Sequence, residues 1–188
     1  GFAVTILFAT LGFVIGWNLV DRFPLPYEVG TVDELNANMQ SLVDSVYFSQ
    51  STVVFILTQN LRAILFAGLL GSLTFGLAGS APVIATFGVI GYLFNLLQSG
   101  GIPASYLLAM LLPHGVIELP ALILTTTATL TAAAKILAPS KQQGIGEVWL
   151  EAMAVWFKIN LGICLPAFIT AAFIEAFLTP QIVLWLFQ

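Results

Sequence analysis

The sequence is poor in charge, cysteine and histidine. Of its 188 residues only 7% are charged, and it holds one cysteine and one histidine. Soluble domains carry about 25% charged residues, so this chain lacks the side chains needed to cover a water-facing surface. The lone Cys164 excludes an intramolecular disulfide and a CxxC site, and we expect it to pack inside a span. Five Lys and Arg residues are too few to bind a nucleic acid.

Apolar residues dominate the sequence instead. They account for 59% of the chain, and the mean hydropathy is +1.02. A single all-α, polytopic transmembrane bundle over residues 1–188 is therefore predicted, since about five spans of about 20 residues fill its length. The predicted spans are residues 2–20, 52–78, 83–97, 113–134 and 159–178. No basic n-region precedes the first segment, so we expect a true span and further residues before Gly1.

Three shorter segments have a different character. Thr31 and Glu34 form a capping box that opens an outer amphipathic helix over residues 31–47, with its apolar face against the bundle or a partner. Residues 103–112 are apolar but too short to cross, which favours an interfacial or re-entrant helix that breaks at Pro113. Two tryptophans on one face of residues 147–157 indicate another interfacial helix.

Small residues recur four positions apart in two spans. Gly12 and Gly16 form a GxxxG pair in the first span, and Gly68, Ser72 and Gly76 continue such a row in the second. Lipid provides no hydrophobic drive between helices, so small faces indicate close helix packing. The neighbour lies either within the chain or across a homodimer.

The distribution of charge predicts a topology in the cell membrane. Lys135 and Lys141 lie in one loop, which the positive-inside rule places in the cytoplasm. Counting back through the spans, we expect a cytoplasmic N-terminus, an extracellular acidic loop at 21–51, a cytoplasmic loop at 135–147 and an extracellular C-terminus.

Polar residues inside the spans form the candidate site. His114 and Glu118 are four apart and share one face of a helix, and ionisable groups at membrane depth usually face a bundle interior or a cavity. We predict a polar intramembrane cluster, with Arg62 as counter-ion to Glu118 or Glu175. Its members are Asn60, Arg62, Asn95, His114, Glu118, Asn160 and Glu175. Such a cluster either joins helices by hydrogen bonds or serves binding, conduction or proton handling.

The usual catalytic sets are absent from the sequence. His114 and Glu118 supply two ligands, and no second His or Cys completes a zinc set, so neither a metal nor another cofactor is predicted. The chain has no HExxH pattern and no GxSxG elbow. An intramembrane hydrolase built on His114 and Glu118 would need a nucleophile or water near the imidazole. We therefore predict a protein that is not an enzyme.

Three ordered stretches resemble the stage II sporulation protein M family. Residues 113–121, PHGVIELPA, match its PHG…ELPA signature, and residues 58–62 with the glycine-rich stretch 68–79 are similar to its paired-asparagine segment and following helix. Residues 171–180 resemble its closing segment. Gln59 stands where the first asparagine is expected, which keeps an amide but departs from the pattern.

The resemblance implies a non-enzymatic function. The sporulation member is a polytopic protein of engulfment that acts with peptidoglycan hydrolases, and relatives occur in organisms that never sporulate. We expect a membrane protein that organises or anchors membrane or envelope partners, with the lipid bilayer and a homodimer as its other contacts. The alternative is a transporter or channel with a polar cavity around His114 and Glu118.

Overall fold

The computed structural model describes residues 1–23, 30–44, 50–139 and 144–187, apart from the side chain of Leu42. All regular structure in these ranges is helical, as predicted. The helices are α1 (Phe2–Leu19), α2 (Val32–Leu42), α3 (Gln50–Leu73), α4 (Ala81–Ser99), α5 (Ala104–Leu137), α6 (Ile145–Ile159), α7 (Leu165–Phe173) and α8 (Thr179–Phe187). Five helical segments are long and apolar enough to cross a membrane, which makes this a multi-pass membrane protein.

Helices α1 and α4 pack closely through glycine. A Cβ atom on Gly16 would meet the backbone carbonyl of Gly88, and one on Gly12 would meet that of Ile84. Further along, the Nδ2 of Asn95 donates to the carbonyl of Trp17 at 2.7 Å. The residue numbers rise together on both helices, so α1 and α4 run parallel. The GxxxG pair of the first span thus packs inside the chain.

The small-residue row of α3 also faces its own bundle. A Cβ on Gly68 would meet the indole of Trp156, the side chain of Ser72 is buried, and a Cβ on Gly76 would meet Leu130. The helix ends at Leu73, earlier than the predicted 78, because Phe75 (φ 53°) and Gly76 (φ 91°) adopt left-handed backbone conformations that an α-helix does not continue.

Helix α5 corrects the prediction of a separate helix at 103–112. It runs unbroken for 34 residues with Pro113 and Pro120 in its interior. At 1.5 Å per residue it is about 51 Å long, more than a bilayer core of about 30 Å. Proline is tolerated inside membrane helices because neighbouring helices and local adjustments satisfy the freed backbone groups. The expected break at Leu112–Pro113 is therefore absent.

The last three helices form one rod from Ile145 to Phe187. Two π-helical turns, Asn160–Cys164 and Ile174–Leu178, separate α6, α7 and α8. The predicted interfacial helix at 147–157 is helical but continuous with the span, and the predicted stop at 178 is wrong. Pro166 and Pro180 are the second residues of α7 and α8, first-turn positions where a missing N–H costs little. A proline thus follows each π turn without ending the rod.

Helix α2 lies across one end of the bundle. The capping box is present, with Thr31 N–H donating to Glu34 at 2.8 Å and Glu34 N–H donating to the Thr31 hydroxyl at 3.3 Å. Met39 packs in a cluster with Tyr106 and Val183, so its apolar face meets its own bundle. The helix ends at Leu42, and residues 45–47 of the predicted 31–47 lie outside the described residues.

The loops gather at two opposite ends. Asn36 of α2 donates to the carbonyl of Phe187 at 2.7 Å and accepts from the Tyr106 hydroxyl at 3.3 Å, which brings α2, the start of α5 and the end of α8 together. At the other end the Thr5 and Thr127 hydroxyls lie 3.0 Å apart. Successive spans therefore run in opposite directions, as the predicted topology requires. Which of the two ends faces the cytoplasm stays a prediction.

Candidate functional site

Three ionisable side chains meet between α5 and the second π turn. His114 and Glu118 lie one turn apart on α5, and Glu175 lies in Ile174–Leu178. Their ligand-type atoms are all within 4.8 Å of one another, and each residue is partly buried. Because the π turn inserts a wider turn into the rod, it sets the direction in which Glu175 leaves the helix. We call these three residues the HEE cluster.

Thr179 supports the imidazole from the far side of the π turn. His114 Nδ1 lies 3.3 Å from the hydroxyl of Thr179, which is buried. Glu175 and Thr179 are four residues apart, as are His114 and Glu118. The pair His114 and Glu118 on α5 therefore faces the pair Glu175 and Thr179 on the last rod, and each pair contributes one carboxylate.

An amide of α3 completes the wall around Glu118. The side chain of Asn60 lies beside the Glu118 carboxylate. Its Nδ2 atom is enclosed by protein and has no partner with hydrogen-bond geometry in the described part of the chain. The amide is therefore placed to donate to the Glu118 carboxylate after a small adjustment of either side chain.

The HEE cluster opens onto a groove between α4 and α5. The groove has a volume of about 450 Å³, and its α4 wall includes Ala85, Thr86 and Val89. Val89 is 58% exposed, so the groove reaches the side of the bundle. The groove therefore borders the HEE cluster with mostly apolar walls.

No cationic side chain neutralises the two carboxylates within the described ranges. Arg62 is exposed and forms no ion pair there, so the predicted counter-ion is not found. The reason is helical geometry, because Arg62 follows Asn60 by two positions and points about 200° away from it around α3. The HEE cluster thus keeps two carboxylates close together without a positive side chain.

The other predicted members of the polar cluster lie elsewhere. Asn95 joins α4 to α1 through its bond to the Trp17 carbonyl and also accepts from Ser99 at 3.0 Å. Asn160 accepts from the Thr125 hydroxyl at 2.8 Å and donates to the Trp156 carbonyl at 2.9 Å. The seven predicted residues therefore separate into the HEE cluster with Asn60, two distinct asparagine sites and an exposed arginine.

The Asn160 site forms a packed polar layer below the HEE cluster. The Trp156 indole N–H donates to the Thr129 hydroxyl at 2.8 Å, and Thr129 in turn donates to the Thr125 carbonyl at 3.0 Å. Thr125 follows Glu118 by seven residues, about two turns of α5. These buried residues are joined by hydrogen bonds and close the bundle at that level. We call Thr125, Thr129, Trp156 and Asn160 the polar layer.

The HEE cluster offers one imidazole and two carboxylates to a cation. In the sequence, His114 and Glu118 are a two-ligand set on one helix, and for that reason no metal was predicted. The third ligand comes from 57 positions further along, and only tertiary structure brings Glu175 to this place. A signal was nevertheless present, because Glu175 is a lone carboxylate within an apolar segment just before Pro180.

The comparisons identify the family. The sequence profile described as Stage II sporulation protein M matches residues 4–180. The chain belongs to this family. An uncharacterised protein of Methanocaldococcus jannaschii is 27% identical over 187 residues, which cover 97% of this chain and 96% of that protein. No solved structure matches the chain.

Each stretch that carries the family resemblance contributes to the same place. Residues 58–62 contribute Asn60, the PHG…ELPA signature contributes His114 and Glu118, and residues 171–180 contribute Glu175 and Thr179. Segments far apart in sequence thus converge around the HEE cluster. In this member of the stage II sporulation protein M family, the polar signature residues lie beside one another.

Proposed function

We propose that the protein is a membrane carrier for a cation, which binds at the HEE cluster. The observation that carries the proposal is that one ligand atom from each of His114, Glu118 and Glu175 lies within 4.8 Å of the others. Among the described residues no cationic side chain neutralises the two carboxylates, and a groove borders the cluster. Ionisable groups at membrane depth are costly, and they often mark ion pathways.

A purely structural role accounts less well for the HEE cluster. Interhelical polar groups that serve as structural links satisfy one another, as the polar layer around Asn160 does. In the HEE cluster two carboxylates, which repel each other when both are ionised, lie close together, and the enclosed Nδ2 of Asn60 has no partner with hydrogen-bond geometry in the described structure. A positive ion between the carboxylates removes the repulsion and is the simplest completion of this arrangement.

The carrier works by alternating access. Along α5 the HEE cluster lies towards the end covered by α2, and the polar layer lies between the HEE cluster and the end that holds Lys135. Interrupted helices around a central site are typical of secondary transporters. Here the rod has two π turns, one holding Asn160 of the polar layer and the other holding Glu175. Movement at these turns opens the second side.

The test is ion flux in proteoliposomes. Vesicles with trapped pyranine report H⁺ entry, and vesicles with trapped calcein report Mn²⁺ entry. We expect faster entry of one of these ions than in protein-free vesicles, and loss of that flux in Glu118→Gln. Glu147→Gln is the matched control, because Glu147 is an exposed carboxylate at the start of α6. Baseline flux of both ions, or full flux in Glu118→Gln, overturns the proposal.

The second candidate is a non-enzymatic organiser that anchors partner proteins. Its support is a set of exposed carboxylates at one end of the bundle, with Asp33 and Glu34 on α2 and Asp44 two residues beyond its end. A homodimer would need a surface other than the small-residue rows, since α1 and α3 use theirs within the chain. Co-purification in mild detergent tests this role. A protein that is strictly monomeric and retains no partner contradicts it.

A further inference from the structure

We propose that the cation is a divalent transition-metal ion, of the Mn²⁺, Co²⁺ and Zn²⁺ class, held directly by His114, Glu118 and Glu175. This inference names the solute of the proposed carrier and rests on that function, although binding can be measured without flux. It concerns the same three atoms that lie within 4.8 Å of one another.

The donor set selects the class of ion. Mg²⁺ and Ca²⁺ bind oxygen ligands, and neither favours an imidazole nitrogen. Cu⁺ prefers sulfur, which the HEE cluster lacks. One nitrogen and two carboxylates suit the intermediate divalent ions, which accept mixed nitrogen and oxygen ligands.

Charge selects the valence. Two carboxylates and a neutral imidazole carry two negative charges, which a divalent ion cancels. A single proton or a monovalent ion leaves one negative charge inside the bundle, where uncompensated charge is costly. The absence of a cationic neighbour among the described residues means that the ion alone supplies the compensation.

Distances allow the ion to bind with small side-chain movements. Bonds of about 2.0–2.2 Å to Zn²⁺ place neighbouring ligand atoms roughly 3–3.5 Å apart. The 4.8 Å spread therefore has to close by roughly 1.3–1.8 Å, a movement that rotation of the two glutamate side chains can supply. Three protein ligands leave coordination positions open towards the 450 Å³ groove, which has room for the water molecules that complete the coordination.

Two neighbours are placed to support the ligands. When Nε2 of His114 binds the ion, Nδ1 keeps its proton and donates it to the Thr179 hydroxyl, 3.3 Å away. The partnerless Nδ2 of Asn60 lies beside Glu118 and can donate to the carboxylate oxygen that does not bind the ion. Ion binding thereby leaves one carboxylate oxygen of Glu118 as the acceptor for the enclosed amide.

The experiment is a Mn²⁺ titration of the detergent-purified protein, followed by electron paramagnetic resonance of free Mn²⁺. We expect one site per chain, with an affinity that falls by at least roughly 100-fold in Glu118→Gln and Glu175→Gln and is unchanged in Glu147→Gln. Electron spin-echo modulation from a ¹⁴N nucleus marks the imidazole, and this signal is expected to disappear in His114→Gln. Thermal unfolding without metal shows whether each variant folds, and Glu175→Asp, which keeps a carboxylate, is a milder substitute.

The outcomes separate the metal site from the carrier. Absence of Mn²⁺, Co²⁺ and Zn²⁺ binding to the folded protein overturns the metal assignment, as does equal competition by Mg²⁺. If Glu118-dependent H⁺ flux remains in that case, the carrier stands without the metal. If Mn²⁺ binds with the ¹⁴N signal but neither Mn²⁺ nor H⁺ crosses the membrane, the metal site stands and the carrier is overturned.

Discussion

The Nδ1 atom of His114 and the hydroxyl of Thr179 lie 3.3 Å apart, although 65 positions separate the two residues. Thr179 begins α8 directly after the π turn that holds Glu175. The last rod therefore contributes both a carboxylate beside the imidazole and the hydroxyl that orients it. A change in either position should affect the ion site without touching α5.

Replacing Thr179 by valine tests the orienting role. The side chain keeps its shape but loses the hydroxyl, so the imidazole is no longer fixed in direction. Loss of such a supporting partner typically lowers metal affinity by about 10–100-fold. We expect this decrease for Mn²⁺ in Thr179→Val, measured by the same titration, with recovery in Thr179→Ser.

Thr170→Val is the matched control for that experiment. Thr170 lies in the same rod, and its hydroxyl donates to the Pro166 carbonyl at 2.9 Å on an exposed face. Its loss removes a hydroxyl without reaching His114. An equal decrease in Mn²⁺ affinity in both variants would show that Thr179 acts through general stability and not through the imidazole.

The polar layer predicts a measurable coupling between Thr129 and Trp156. Thr129→Val leaves the buried indole N–H, now 2.8 Å from the threonine hydroxyl, without an acceptor. We expect the free energy of unfolding to fall by about 0.5–2 kcal/mol, the range for such bonds between membrane helices. A double-mutant cycle with Trp156→Phe in detergent cancels the packing change and should give a coupling of about 0.6–1.7 kcal/mol.

A second cycle controls for proximity. Thr131 lies on α5 two residues beyond Thr129, and its hydroxyl donates to the Thr127 carbonyl at 2.7 Å on an exposed face. Thr131→Val combined with Trp156→Phe should show additive effects. A coupling in this cycle as large as that of Thr129 would contradict the assigned hydrogen bond.

Sequence reasoning predicted the helices where composition and boundary residues agreed. The apolar run of α1, Phe2–Leu19, and that of α4, Ala81–Ser99, end within two residues of the predicted limits. The helix boundaries that were predicted at proline residues were wrong. Pro113 and Pro180 were interpreted as helix boundaries, a sound inference in water, but packing inside an apolar bundle lets α5 and the last rod continue through them.

The site was predicted only in part, for geometric reasons. The i, i+4 pair of His114 and Glu118 follows from helix periodicity, so sequence could place it on one face. The distance from these residues to Glu175 depends on how two helices pack, and on a π turn that no simple residue pattern specifies. Arg62 and Asn95 were assigned by depth alone, which does not fix the direction in which a side chain points around its helix.

Gly16 makes the α1–α4 contact sensitive to one methyl group. A Cβ atom at this position would meet the carbonyl of Gly88, which is backbone and cannot rotate away. We expect Gly16→Ala to lower the free energy of unfolding by about 1–3 kcal/mol, as overpacking usually does. Gly146→Ala is the control, since a Cβ there has open space, and its melting temperature should stay equal or rise slightly. Equal melting temperatures for the parent and Gly16→Ala would contradict the close approach.

Asn36 is expected to hold α2 on the bundle. It is buried, donates to the Phe187 carbonyl at 2.7 Å and accepts from the Tyr106 hydroxyl at 3.3 Å. In Asn36→Ala both contacts are lost, so hydrogen exchange in Val32–Leu42 should become faster while α5 stays protected. Asn38→Ala, on the exposed face of the same helix, should leave exchange unchanged. Similar exchange in the two variants would show that apolar packing alone holds α2.

The predicted topology can be tested with cysteine labelling, because Cys164 is fully buried and gives little background. The positive-inside argument places α2 outside the cell and the loop before α6 in the cytoplasm. A membrane-impermeant maleimide should therefore label Asp33→Cys in intact cells, and should label Gly144→Cys only after the cells are opened. Both positions are exposed in the folded protein, so burial cannot explain a difference between them. The reverse labelling pattern would invert the orientation, place the groove and the HEE cluster in the cytoplasmic half, and make the proposed carrier load its ion from inside.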